Sequence, residues 1–334
     1  MPTTKSKKAT VEDVDDPAPQ VSKKKRKKSS AAAGKALKLL KAVEKAQAKV
    51  ADHVSAEPGT LAALLQVGEG FRLADVDPRS TPGFAGTKEE GKAALAAGVE
   101  PMSQVQERLY AEGFSGGKKS VLLVVQGMDT SGKGGILRHV IGSVDPQGIS
   151  LTSFKAPTEQ ERAKGFLWRI RAALPEPGFI GVFDRSHYED VLIVRVRELS
   201  PQATVQRRYQ SINTFERKVV DSGTTIVKVM LHISSDEQRD RLGERLDRPD
   251  KYWKFNPGDI DERLLWDQYQ DAYQVALTRC STQAAPWHVV PADRKWYARW
   301  AVQQLIVDAL HGVAPQWPAA DYDVEEQKAR LAAT

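Results

Sequence analysis

The sequence has little cysteine and no long apolar run, and both absences limit what the protein can do. Cys280 is the single cysteine among 334 residues, which excludes an internal disulfide framework and a metal site built from several cysteines. No apolar stretch approaches the roughly 20 residues of a membrane-spanning helix. The lysines near the N-terminus are not followed by the apolar segment of a secretory signal. These absences favour a cytoplasmic protein that does not use a membrane.

The chain also lacks a net positive charge outside its first 50 residues. The formal net charge is +6, but residues 1–50 hold 14 basic and 5 acidic residues, so the remainder has a net charge of −3. Residues 1–33 have almost no large apolar side chains, which predicts disorder. They include the basic block Lys23–Lys28, which would attract nucleic acid, polyphosphate or an anionic surface. A solvated tail explains the block equally well.

Between the two ends the composition is that of a soluble globular domain. The whole chain is 41% hydrophobic and 28% charged, which is ordinary for such proteins. We predict a tail over residues 1–54 that includes a lysine-rich helix over 31–54, a folded domain over 55–312, and a C-terminal tail over 313–334. Cys280 is expected to be an inert, buried or half-buried thiol in a helix.

Short apolar runs alternate with helical patterns in the folded domain. The predicted strands are 120–126, 149–154, 179–183, 225–233 and 287–291. The predicted helices are 89–113, 132–144, 158–174, 188–198, 203–222, 236–246, 259–282 and 294–311, and an extended surface arm is predicted over 73–98. This alternation is typical of a three-layer α/β fold with a parallel sheet covered on both faces. Its active groups are expected at the carboxyl ends of the strands.

A phosphate-binding loop follows the first of these strands. The segment Gly127-Met128-Asp129-Thr130-Ser131-Gly132-Lys133-Gly134-Gly135 matches the pattern G-x-x-x-x-G-K, whose backbone N–H groups bind anionic oxygens. Gly134 stands where nucleotide triphosphatases have a Ser or Thr hydroxyl for Mg²⁺. Asp129 adds a carboxylate that would repel phosphate unless a metal ion lay between them. The loop therefore predicts phosphoryl transfer with Mg²⁺ held partly by the loop.

Two further segments carry candidate chemistry. Asp184 ends the third apolar strand, where phosphate-loop proteins place a second metal-positioning carboxylate, and Arg185 beside it offers a planar fork for phosphate oxygens. A helix cap is the alternative for Asp184. His187 is more simply a capping or orienting residue than a general base. The segment Arg239–Phe255 is rich in cations and aromatics, which favours a basic lid over a solvated helix with internal ion pairs.

Together, Gly127–Gly135, Asp184–Val191 and Arg248–Phe255 resemble the polyphosphate kinase 2 family, and the resemblance covers residues 60–312. It implies a Mg²⁺- or Mn²⁺-dependent enzyme that moves phosphate between inorganic polyphosphate and a nucleotide. It also implies a thymidylate-kinase-like fold with a helical lid. Gly134 and Asp129, which are unusual for a nucleotide triphosphatase, are expected in this family. The Ser-His-Tyr-Glu-Asp-Val segment after Arg185 resembles branches that accept AMP, or both AMP and ADP.

The resemblance also implies roles for individual residues. Asp129 and Asp184 would hold the metal ion, while Arg185 would neutralise charge at the transfer point. Lys133 would bind the transferring group, and Glu189 would adjust the choice of acceptor. The loop residues implied in phosphate or nucleotide binding are Gly127, Met128, Thr130, Ser131, Gly132, Gly134 and Gly135. The lid residues implied in polyphosphate binding are Arg241, Arg245, Arg248, Lys251 and Lys254.

Two other functions stay open from the residues themselves. An ATP-dependent nucleoside monophosphate kinase would use the same scaffold, and the basic tail could make the protein a nucleic-acid binder. The sequence also leaves open adenine or guanine as the base. The family resemblance favours a homo-oligomer, either a dimer or a tetramer.

Overall fold

The fold is organised around a five-stranded parallel sheet. The computed structural model describes residues 59–334. The strands are β1 (Ser120–Gln126), β2 (Ile149–Ser153), β3 (Ile180–Asp184), β4 (Thr224–His232) and β5 (Trp287–Pro291). Their order is β2-β3-β1-β4-β5, and every neighbouring pair is parallel. The predicted α/β class is thus confirmed, and the predicted strand limits agree with those observed to within a residue.

The apolar run of β1 explains why this strand lies at the centre of the sheet. All seven of its residues are buried. Val121, Leu123 and Val125 pack into one apolar cluster, whereas Leu122 and Val124 pack into a second cluster on the opposite face. Because successive side chains of a strand point to opposite faces, a continuous apolar run is what a doubly covered strand requires.

Helices cover both faces of the sheet and extend beyond it. They are α1 (Thr60–Leu65), α2 (Lys88–Ala97), α3 (Val99–Phe114), α4 (Lys133–His139), α5 (Glu159–Arg162), α6 (Trp168–Ala172), α7 (Ile193–Val196), α8 (Gln202–Asp221), α9 (Ser235–Asp247), α10 (Gly258–Arg263), α11 (Trp266–Cys280), α12 (Lys295–Val313) and α13 (Val324–Ala332). Short 3-10 turns occur at Leu73–Asp75, Ile141–Ser143, Pro146–Gly148, His187–Asp190 and Pro249–Lys254.

Several predicted helices are shorter or broken in the structure. The prediction for 132–144 was too long, since α4 ends at His139 and a 3-10 turn follows. The prediction for 158–174 was wrong at its centre, where the chain leaves the helix after α5 and passes through Gly165, a poor helix former. The prediction for 259–282 missed a break at Leu264 and Leu265, which leaves Leu264 77% exposed and packs Leu265 against the core.

Two other regions also depart from the predictions. The segment 188–198 is a 3-10 turn followed by the short α7. Here the consecutive residues His187 and Tyr188 are both buried. This pattern does not suit a single amphipathic helix with one face exposed to solvent. The arm predicted over 73–98 was wrong from residue 88, where α2 begins. The overlapping prediction of a helix over 89–113 was right except for the break at Gly98 between α2 and α3. The Thr87 hydroxyl accepts from Glu90 N, and the Glu90 carboxylate accepts from Thr87 N, which is a capping box.

The structure tests the predictions for the C-terminal tail and for Cys280, but not the prediction for the N-terminal tail. The tail over residues 1–54, with its basic block and lysine-rich helix, lies outside the described residues. The segment predicted as a C-terminal tail contains α13, which has no buried residue. Cys280 is buried, and burial raises its pKa to about 12, which fits the predicted inert thiol. Over residues 59–334, no helix combines the length and apolarity needed to cross a membrane.

His288 should make the stability of the fold depend on pH. It lies on β5 with 6% of its surface exposed, and burial lowers its pKa from 6.5 to about 4. Between pH 6.5 and 4 the unfolded chain therefore takes up a proton that the folded chain does not. We expect the free energy of unfolding to fall by about 3 kcal/mol as the pH decreases through this range.

Urea unfolding at several pH values would measure this contribution. His288→Gln should lose that part of the pH dependence, whereas the same substitution at the exposed His311 should keep it. Equal pH dependence in the two variants would contradict the assignment to His288.

Candidate functional site

The phosphate loop joins β1 to α4 at the carboxyl end of the sheet. Gly127 and Gly132 have φ angles of 151° and 112°, which side chains rarely allow. A Cβ on Gly127 would also lie 2.6 Å from Ser131 Oγ and 2.8 Å from Leu231 O. A Cβ on Gly134, by contrast, would meet no heavy atom within 4 Å. Packing therefore requires the glycine at 127, and leaves room for a side chain at 134.

Lys133 folds back over this loop. Its Nζ donates to Gly127 O at 2.7 Å and to Met128 O at 3.2 Å. Burial is the main reason that the pKa of Lys133 is lowered, against the opposing attraction of Asp129. Burial alone would raise the pKa of Asp129, but the charges of Lys133 and Arg185 outweigh it and lower that pKa. Asp129 is thus held as a carboxylate between two cations.

The end of β3 brings the second predicted motif beside the loop. Asp184 pairs in register with Val125 of β1, and Arg185 N donates to Val125 O at 3.1 Å. Arg185 has a φ of 63°, and its Nη2 donates to Asp129 Oδ1 at 3.0 Å. Because the strands are parallel neighbours, the two motifs meet as the sequence predicts.

The carboxylate of Asp184 is only partly satisfied by hydrogen bonds from the protein. Its Oδ2 accepts a long bond of 3.4 Å from Ser153 Oγ. Its Oδ1 is buried and has no hydrogen-bond partner among the described residues, as is also true of Thr130 Oγ1 and Ser131 Oγ in the phosphate loop. Buried polar atoms are normally hydrogen-bonded. This orphaned oxygen beside a phosphate loop therefore fits a ligand to a hard cation.

A cavity of about 240 Å³ opens between the two motifs, α9, α10 and α11. It is lined by Gly127, Met128, Asp129, Arg185, Glu189, Leu192, Ile193, Gln238, Asn256, Gly258, Asp259, Glu262, Tyr269 and Tyr273. Five of these residues were predicted from the sequence. Tyr269 and Tyr273, which were not, are one helical turn apart and so share a face of α11, a signal that was available.

Glu189 and Gln238 show how the cavity is held together. Burial raises the pKa of Glu189, although Arg185 and Lys133 oppose that effect. With its amide oriented to satisfy both ends, Gln126 donates to Glu189 Oε1 at 3.2 Å. Gln238 Nε2 donates to Asp129 O at 3.2 Å, so α9 supports the loop from the side opposite β3.

The lid, predicted over about residues 236–258, forms α9 and the 3-10 turn Pro249–Lys254 and ends where α10 begins. Glu244 accepts from Lys251 and, at 3.4 Å, from Arg248. Arg245 Nη1 donates to Lys254 O at 2.9 Å and to Asp259 Oδ2 at 3.1 Å. The Lys254 ammonium lies 4.9 Å from the centre of the Trp253 ring. None of these four cations is among the residues that line the cavity, and three of them are paired with carboxylates.

Arg241 is placed apart from the other four predicted lid residues. It is 5% exposed, and its guanidinium donates to Thr130 O at 2.8 Å, Ala292 O at 2.6 Å and Asp293 O at 3.1 Å. Its Nε also pairs with Glu237 at 2.7 Å. Because its donors are directed at protein acceptors, Arg241 supports the backbone of the phosphate loop. This role differs from the direct polyphosphate contact predicted for it.

Comparisons with known proteins agree with this geometry. A family model described as polyphosphate kinase 2 matches residues 86–317. The AMP/ADP-polyphosphate phosphotransferase of Meiothermus ruber is 49% identical over 248 residues, which are 74% of this chain and 91% of that protein. The ADP-polyphosphate phosphotransferase of Rhodopseudomonas palustris is 41% identical over 267 residues, covering 76% of this chain and 91% of that protein.

A solved structure extends the agreement to the fold. The crystal structure of polyphosphate kinase 2 from Arthrobacter aurescens TC1 superposes with a TM-score of 0.82 at 54% sequence identity, and the match covers 84% of this chain and 100% of that chain. The phosphate loop, the strand-end Asp-Arg pair and the lid all lie within the residues that the family model matches. The chain belongs to the polyphosphate kinase 2 family.

Proposed function

We propose that this protein forms ATP from ADP, and phosphorylates AMP as well, with inorganic polyphosphate as the donor. Membership of the family gives the enzyme class, a polyphosphate-dependent nucleotide phosphotransferase. The Meiothermus relative is named for both AMP and ADP, and the Rhodopseudomonas relative for ADP. The observation that carries the proposal is the 3.0 Å contact of Arg185 with Asp129 at the mouth of the cavity.

The charges around that contact suit phosphoryl transfer. Lys133 and Arg185 each interact electrostatically with Asp129, Asp184 and Glu189. Lys133 and the loop amides would bind the transferring phosphoryl group, while Arg185 would neutralise the charge that develops on it. The acceptor is a phosphate oxygen that is already ionised, so little proton abstraction is needed. Glu189 lies beside Arg185 in the cavity and would affect which acceptor fits.

Asp129 and Asp184 are the residues that would hold a divalent ion. Enzymes of this family generally need such a metal, and we propose Mg²⁺, with Mn²⁺ as a substitute. Over residues 59–334, no cluster of three or more His, Cys, Asp or Glu is arranged to hold a metal by itself. A site of two carboxylates completed by substrate phosphates and water is typical of Mg²⁺. Bound there, the ion would neutralise charge on the reacting phosphates.

Direct in-line transfer is the mechanism that this cavity favours. Among the described residues, those lining it include no His, Cys or Ser. The lining carboxylates of Asp129, Asp259 and Glu262 are each paired with an arginine, which makes them poor nucleophiles. Positioning and electrostatic stabilisation would then supply most of the rate enhancement. Arg245, Arg248 and Lys251 would bind polyphosphate by exchanging their present carboxylate partners for phosphate oxygens. Lys254, which lies over the Trp253 ring, would bind it without such an exchange.

The first test is a donor and acceptor assay. Incubation with polyphosphate, Mg²⁺ and ADP should yield ATP, and AMP should be phosphorylated in the same conditions. Absence of product with both acceptors would contradict the proposal. At equal phosphate concentration, ATP should be a much poorer donor to AMP than polyphosphate. A preference for ATP would instead identify an ATP-dependent nucleoside monophosphate kinase.

The second test addresses the two carboxylates. Asp129→Asn and Asp184→Asn should each lower kcat at least about 100-fold, because each removes a charge that the transition state needs, while circular dichroism and melting temperature stay close to the wild type. Asp271→Asn, at an exposed position on α11 away from the cavity, is the matched control and should retain activity. Near-normal rates in either of the first two variants would remove that carboxylate from the catalytic site.

A further inference from the structure

A fully buried cluster of charged groups lies directly behind the strand-end motif. Lys228 on β4 and Glu216 on α8 are 0% and 1% exposed, and their side chains are 2.6 Å apart. Tyr188 OH donates to Glu216 Oε1 at 2.8 Å, and His187 Nε2 lies 3.1 Å from the same oxygen. Lys228 also donates to Tyr188 OH at 2.8 Å. We call His187, Tyr188, Glu216 and Lys228 the buried network.

Stability of the fold does not explain why the buried network is charged. Desolvation of two charges in an apolar core is costly, and apolar residues of similar volume are often as stable as a buried ion pair. Burial lowers the pKa of Lys228, against the attraction of Glu216. The surrounding second core cluster is otherwise apolar, apart from a few tyrosine and tryptophan polar atoms. The Lys228–Glu216 pair makes directional hydrogen bonds, which apolar residues could not make.

Two members of the network, His187 and Tyr188, lie between the candidate site residues Arg185 and Glu189 in the sequence. Arg185 and Glu189 line the cavity, whereas His187 and Tyr188 between them are buried. Ser186 Oγ accepts from Tyr188 N at 3.2 Å, which closes the turn locally. Arg185 has a φ of 63°, a conformation that persists in a non-glycine residue only when its surroundings enforce it. The hydrogen bonds that hold His187 and Tyr188 in the core therefore also constrain Arg185 and Glu189, which lie on the cavity side of the same turn.

We propose that the buried network positions Arg185 and Glu189 for phosphoryl transfer, with Glu216 as the acceptor that fixes the turn. This inference rests on the proposed function for its effect on rate. None of the four residues of the network lines the cavity, so each acts through the turn as a positioning residue. Loss of the acceptor should lower kcat, while the KM values for nucleotide and polyphosphate change little.

Two double variants separate positioning from stability. Glu216→Gln with Lys228→Met removes both charges but keeps a side-chain oxygen for Tyr188 and His187. Glu216→Leu with Lys228→Met removes the same charges and that acceptor. We expect the Gln variant to retain kcat within threefold of the wild type, and the Leu variant to lose at least tenfold in kcat with KM values within threefold. Equal kcat values in the two variants, both folded by circular dichroism, would overturn the proposal.

Tyr188→Phe tests the positioning role if the Leu variant does not fold. It deletes one buried hydroxyl and should lower kcat at least threefold with unchanged KM, and an unchanged kcat would overturn the proposal. Crystal structures of the variants give a readout that does not depend on turnover. The 3.0 Å contact of Arg185 with Asp129 should persist in the Gln variant and be lost in the Leu or Phe variant.

Persistence of that contact in all the variants would overturn the positioning role, even if the wild type proved inactive with polyphosphate. An inactive wild type would contradict only the proposed function. The two failures are therefore distinguishable.

Discussion

The contact between Asp129 and Arg185 is the interaction on which the site depends. It joins two loops that leave neighbouring parallel strands, and it exists because Val125 and Asp184 are paired in register. A shift of register by one residue would move Arg185 to the other side of the strand and break its contact with Asp129. The parallel pairing of β1 with β3, which runs from Val121–Ile180 to Val125–Asp184, holds that register. The chemistry at the sheet edge thus depends on strand pairing at the sheet centre.

The lid shows how a protein with an acidic folded domain can present cations to a polyanion. Glu244 and Asp259 pair with lid cations, and Asp250 pairs with Arg248 at 2.8 Å. The Arg248–Asp250 pair is exposed, and exposed ion pairs contribute little stability, so the polyphosphate that we propose as substrate would replace that carboxylate at low cost. Arg241 differs, because its partners are mostly backbone carbonyls of the phosphate loop and of the segment after β5. It belongs to the framework, whereas the cations that follow it along the chain are those that we propose for polyphosphate binding.

The sequence predicted the parts of this structure that rest on local pattern. The five strands follow from apolar runs, and the loop at Gly127–Gly135 follows from its glycines and lysine. Helix limits were less predictable, because burial of single residues such as Leu265 bends the chain where periodicity alone continues. The helix that begins at Lys88 was predicted from residue 89, and its Thr87 and Glu90 capping pair was a further signal for it. The extended arm predicted over the same residues was the wrong interpretation there.

Contacts between distant segments could not be predicted in this way. Glu216 and Lys228 lie on a helix and a strand that each look ordinary in sequence, and only the fold brings them to Tyr188. The cavity residues Gln238 and Asp259 likewise come from the lid helices, whose approach to Asp129 depends on tertiary packing. The orphaned Oδ1 of Asp184 is also visible only in the structure, although the sequence did predict the residue's place at the strand end.

The most direct test of the central claim is metal binding at the two motifs. Electron paramagnetic resonance of Mn²⁺, titrated into the protein with ADP present, reports the bound ion without requiring turnover. The account predicts that Asp129→Asn and Asp184→Asn each weaken Mn²⁺ binding at least about tenfold, the usual effect of losing a coordinating or supporting group at a metal site. Wild-type Mn²⁺ affinity in both variants would contradict the claim that these two carboxylates form one site.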